Sequence, residues 1–153
     1  MKREIIQIIT AFIGTLGFSI YFRVSEKNVL ASTIGGGVGF AVYLLIFKLT
    51  GSLFFANFLA SFMIYIYSEI CARILKAPSN VFLVPGTIPL LPGGALYYTM
   101  YGIVNSDRQM FYDNGIATVI MTVGIATGIV VGTVIINYIL KLDKKSKKKD
   151  NGA

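Results

Sequence analysis

The chain has 153 residues, 55% hydrophobic and 14% charged, with a formal net charge of +7 and a mean hydropathy of +0.71. A soluble domain of this length carries about 25% charged residues, so the deficit places the chain in a membrane and leaves no room for a separate soluble domain. Histidine is absent and Cys71 is the lone cysteine, which excludes histidine acid–base chemistry, a catalytic triad, an internal disulfide and a thiolate metal site.

The apolar runs predict an all-α, polytopic membrane helical bundle of four to five spans, each with about the 20 residues a helical crossing needs. The first runs near Ile5–Phe22 after Met1-Lys2-Arg3-Glu4. That start imitates a signal peptide, but the apolar stretch is long and no small-x-small cleavage site follows, so a retained helix is expected. Arg23–Asn28 is a polar connector, and the second span lies near Val29–Phe47. A short break at Lys48–Gly51 precedes a third span from Ser52 toward Ile70, which continues to Leu75 as an amphipathic turn and ends at Pro78. Cys71 reads as a small apolar filler at the end of that span. The fourth element, near Val81–Val104, is broken by prolines. Asn105–Asn114 is polar, and the last span lies near Gly115–Leu140. Residues 1–140 thus read as the transmembrane domain and 141–153 as a basic tail, which holds six of the fourteen basic residues. The tail abuts a span and has no aromatic partners, so it fits anionic lipid rather than nucleic acid.

Lysine and arginine counts set the orientation. With five crossings and the tail inside, ten basic residues lie inside, including Arg23, Lys27, Arg73 and Lys76, and four outside. With a re-entrant fourth element the division is nine to five. Both arrangements make the tail cytoplasmic. Gly124-x-x-x-Gly128-x-x-x-Gly132 and Gly35-x-x-x-Gly39 put small residues on one helix face, where backbones can approach.

The most informative stretch is Pro85-Gly86-Thr87-Ile88-Pro89-Leu90-Leu91-Pro92-Gly93-Gly94. Each proline lacks an N–H and crowds the carbonyl four residues back. At membrane depth such backbone must be wrapped in protein or line a wet cavity, and broken segments of this kind mark transporter binding sites. Residues 85–92 are therefore expected not to be continuous helix. Pro92 suits the first position of a resumed helix. The N–H groups of Gly93, Gly94 and Ala95 would then face outward at the positive helix end, a natural place for a carboxylate. The carbonyls of Val81, Pro85 and Ile88 would lose helical partners and become free for a cation or water.

Four further residues are candidates. Tyr97, one turn above Gly93, is expected to line the pocket, while Tyr98 and Tyr101 read as an aromatic belt. Asn57 either contacts substrate or bonds across helices. Glu69 is the one acid inside a span, which makes it a candidate for proton coupling or gating. With Arg73 four residues on, the two equally form an interfacial ion pair.

The stretch Arg73-Ile74-Leu75-Lys76-Ala77-Pro78 through Pro85-Gly86-x-x-Pro89-x-x-Pro92-Gly93-Gly94 resembles the signature of the threonine/serine exporter family. The resemblance extends over nearly the whole chain and is closest to the small subunit of split systems, similar to the C-terminal half of fused exporters and related to two-subunit succinate exporters. It implies secondary export of small carboxylate-bearing metabolites by an inner-membrane protein, with a larger subunit of the same family as partner. The residues themselves show no catalytic constellation and call for no cofactor or metal; they add membrane lipid and a possible second copy as partners, but no nucleic acid. The candidate substrate-binding residues are Pro85, Gly86, Pro89, Pro92, Gly93, Gly94, Tyr97 and Asn57. A non-transporting membrane scaffold is the alternative: it needs glycine-faced helices but no broken helix aimed at a ligand.

Overall fold

The structure, a computed structural model, describes residues 2–150, with side chains through Lys141. The tail expected over 141–153 therefore lies outside the described residues, apart from Lys141 and the helical backbone that follows it. The described chain is helical throughout: α1 (Lys2–Tyr21), α2 (Glu26–Thr50), α3 (Leu53–Ile74), α4 (Asn80–Thr87), a 3-10 turn (Ile88–Leu90), α5 (Gly93–Val104) and α6 (Arg108–Asp150). Helices α1, α2, α3 and the Arg108–Lys141 part of α6 are each long and apolar enough to cross a membrane. A fifth candidate is the bent pair Asn80–Leu90 and Gly93–Val104, whose axes meet at 49°. So shallow a bend carries α5 onward rather than back to the side from which α4 came.

The ends of the helices follow from local chemistry. Gly51 closes α2 in the left-handed conformation (φ 66°), with its N–H on the Phe47 carbonyl at 2.8 Å. Glycine takes that conformation without a Cβ penalty. The polar connector expected over Asn105–Asn114 shrinks to Asn105–Asp107. Asp107 causes this: its carboxylate accepts the Met110 N–H at 3.0 Å and caps a new helix.

Glycines set the packing. Gly36 and Gly37 of α2 leave room for Thr15 and Phe12 of α1, and Gly35 and Gly39 leave room for Tyr67 and Ile64 of α3. On α6, Gly124 faces Phe54 and Asn57, Gly128 faces Phe58 and Ser61, and Gly132 faces Tyr65. Both series rise together, so α3 and α6 run parallel and Lys141 lies at the same end as Arg73. Ala60, Ile64, Leu90 and Ile125 form the buried core, flanked by Phe40, Leu83 and Ile129. The 3-10 turn is thus anchored through Leu90 in the centre of the bundle.

As the proline spacing predicts, residues 85–92 are not continuous α-helix and a helix restarts beside Pro92, although the first turn of the stretch stays helical. Helix α4 continues through Pro85 to Thr87. Pro85 cannot donate to the Val81 carbonyl, but the Ser32 hydroxyl does so at 3.4 Å, and Ser19 donates to Ser32 at 3.1 Å. Both serines are fully buried. Pro89 likewise withholds a donor from Pro85, and the Ile88 N–H takes its place in a 3-10 bond. The Ile88 carbonyl accepts the Leu91 N–H at 3.1 Å. All three carbonyls expected to lack partners therefore accept a hydrogen bond within the protein. Only Leu91 (ψ 136°) and Pro92 (ψ 51°) leave helical geometry. Pro92 precedes the new helix as its cap rather than opening it, and Gly93 is the first helical residue.

Candidate functional site

A cleft of about 720 Å³ opens where the break faces the start of α1 and the end of α2. Residues 89–95 form one wall, and Phe40, Tyr43 and Leu44 form another. Polar groups enter from Glu4, Gln7 and Lys48. Gly93 and Gly94 are exposed, and a side chain at either would meet nothing within 4 Å.

The helix start supplies two donors. The Gly93 N–H is taken by the Leu91 carbonyl at 2.8 Å, and the Leu96 N–H returns to Pro92 at 2.9 Å. Between them, the N–H groups of Gly94 and Ala95 have no acceptor among the described residues. This corrects the expectation of three open donors to two. They lie at the positive end of the α5 dipole, where a carboxylate is stabilised. Across the cleft the Lys48 ammonium is 3.2 Å from a Glu4 carboxylate oxygen. Their side chains are 67% and 41% exposed, so the pair adds little to stability and remains accessible to a ligand. A cation, an anion, two backbone donors and an apolar wall suit a small carboxylate-bearing molecule. No cluster of three potential metal ligands occurs among the described residues.

Of the residues singled out from sequence, Pro89, Pro92, Gly93 and Gly94 line this cleft. The others do not. Pro85 and Gly86 are buried one turn earlier, with Gly86 against Ile64 and the Gly35–Gly36 backbone. Tyr97 is 62% exposed and stacks on Tyr101. Ala95, Thr99 and Gly102, spaced at helical period, are the more shielded face of α5, with Gly102 and Thr99 against α6. That turns Tyr97 to the opposite face. Asn57 is fully buried in the seam between α3 and α6 beside Gly124; its amide donates to the Leu53 carbonyl at 2.8 Å. Its Oδ1 has no hydrogen-bond partner among the described residues. Glu69 and Arg73 approach to 3.9 Å near the other end of α3, with the Tyr65 hydroxyl 3.5 Å from Glu69.

Sequence reasoning missed Glu4 and Lys48 as site residues. They are 44 positions apart, but a signal existed. The short connector after α1 makes α1 and α2 an antiparallel hairpin, which brings the start of one beside the end of the other.

A family model described as "Threonine/Serine exporter, ThrE" matches residues 7–135. The chain belongs to the threonine/serine exporter family. The matched region holds the break, Lys48 and the whole α3–α6 seam; Glu4 lies just before it. No solved structure matches the chain. Membership of an exporter family, together with the four to five candidate spans, makes this a multi-pass membrane exporter protein.

Proposed function

We propose that this chain is one subunit of a secondary transporter of the inner membrane. It exports serine, threonine or a small dicarboxylate such as succinate, and it works with a larger subunit of the same family. The observation that carries the reading is the cleft that ends on the unpaired N–H groups of Gly94 and Ala95. A substrate carboxylate docks there, and Lys48 and Glu4 meet its remaining charged groups. The cytoplasmic tail is supported by the grouping of Arg23, Lys27, Arg73, Lys76 and Lys141 at one end of the bundle. Five crossings are supported by the shallow bend between α4 and α5. A larger partner is supported by the resemblance of this chain to one half of the fused exporters.

Flux of labelled serine, threonine and succinate in proteoliposomes tests this, with the chain alone and with the larger subunit. Flux that requires both chains is the expected result. Robust flux by this chain alone contradicts the subunit reading. No flux of any of the three with both chains present returns the protein to the scaffold alternative.

A further inference from the structure

A second cleft, of about 440 Å³, approaches the break from the opposite end of the bundle. It is bordered by Arg23, Asn28 and Asn80 and reaches Val81, Val84 and Pro85. The first cleft reaches Pro89. Four residues separate the two prolines, roughly 6 Å of helix rise. The partition between the clefts is therefore about one turn thick, plugged by Gly86 against Ile64 and by buried Leu90.

The chemistry of this second cleft is one-sided. No aspartate or glutamate borders it, whereas Glu4 borders the first. Arg23 has no ion-pair partner among the described residues. Its backbone is left-handed (φ 54°), a conformation glycine adopts more easily, and it is fixed by an N–H bond to Ile20 at 2.9 Å. Asn28 is 9% exposed and its side-chain amide has no hydrogen-bond partner among the described residues, but its polar atoms still reach open space at the cleft. Its donors are therefore available to a ligand. Arg23 borders the same cleft, and the planar fork of a guanidinium matches a carboxylate.

We propose that Arg23, Asn28 and Asn80 form a second carboxylate-binding subsite, where substrate docks on the tail-side face before or after passing the Pro85–Pro89 turn. The inference rests on the exporter reading and adds a site to it. Arg23 holds the carboxylate, and the Asn28 amide donates a second bond. The narrow partition makes the two subsites successive stations on one path.

The test uses the full-length chain with Cys71→Ser, together with a cysteine-free larger subunit, in phosphatidylcholine vesicles. Ala77→Cys reports on the second cleft and Leu44→Cys on the first, both at lining positions. A membrane-impermeant maleimide is applied to each face in turn. Ala77→Cys is expected to react only from the Arg23 side. Serine, threonine or succinate should slow that reaction, and ethanolamine, which lacks the carboxylate, should not. Arg23→Gln should raise the protecting concentration about tenfold, Asn28→Ala about threefold, and Arg23→Lys less than Arg23→Gln. Protection at the Leu44→Cys reporter should stay unchanged in all three. Protection at the Leu44→Cys reporter alone overturns this inference and leaves the exporter reading standing. Protection at neither reporter overturns both. Equal protection with Arg23→Gln and with the parent also overturns it, as does protection that phosphatidylglycerol gives and the substrates do not, which makes the cleft a lipid-headgroup site.

Discussion

Glycine has opposite duties in the two regions that define this molecule. In the α3–α6 seam, Gly124, Gly128 and Gly132 exist to be touched: a Cβ at Gly128 would collide with the Ser61 hydroxyl and the Phe58 carbonyl. In the break, Gly93 and Gly94 border a cleft and would touch nothing. The seam uses the absence of a side chain to bring two backbones together, while the break uses it to keep space open. Composition and spacing alone do not separate these uses; the neighbouring helix does.

Valine substitutions sharpen the contrast most. Gly128→Val should cost about 3 kcal/mol or more, because backbone and not a mobile side chain is in the way. Loss of folded protein in a detergent thermal melt is the expected outcome, and accumulation at parental levels with an unchanged Tm would show that the seam is loose. Gly93→Val should reach parental levels yet lose at least about tenfold in export, since its side chain enters the space where backbone meets ligand. Undiminished flux at matched expression would remove the carboxylate site at the α5 start.

Smaller effects probe how the break is held. Ser32→Ala removes the hydroxyl that meets the Val81 carbonyl and should cost about 1–2 kcal/mol. Its signature is a lowered Tm together with faster amide exchange in α4. An unchanged Tm would mean that another group satisfies the carbonyl. Lys48→Gln should alter stability by less than about 0.5 kcal/mol, since the pair is exposed, while raising the substrate concentration for half-maximal flux about fivefold. A stability loss with normal flux would reverse the assignment of Lys48 from ligand contact to structural tie.

The helices were legible in the sequence because long apolar runs and their polar ends are local signals. Connector lengths were less so: Asp107 shortened one by capping α6. The break and the restart beside Pro92 were legible; the helical turn that survives through Pro85 was not. Proline spacing counts missing donors along one chain, and it cannot see Ser32 arriving from α2 to replace one. Tyr97 was placed at the right height on α5 and on the wrong face, because Thr99 and Gly102, rather than the helix start, decide which way α5 turns. Asn57 shows the same limit. Its depth was readable, but only the close approach of Gly124 places it in a seam instead of a cleft. Glu4 and Lys48 were invisible as a pair because each, taken alone, is an ordinary charge at the end of a span.

The break also has a mechanical meaning. Helix α4 is fastened mainly to α2, and α5 is fastened to α6. Leu91 and Pro92 are the non-helical residues between them, so they form the joint of two otherwise rigid arms. The outer arm, α5, is twelve residues long, roughly 18 Å. A 10° change at the joint therefore swings its far end, at Val104, by about 3 Å, while the wall of the cleft beside Gly93 barely moves.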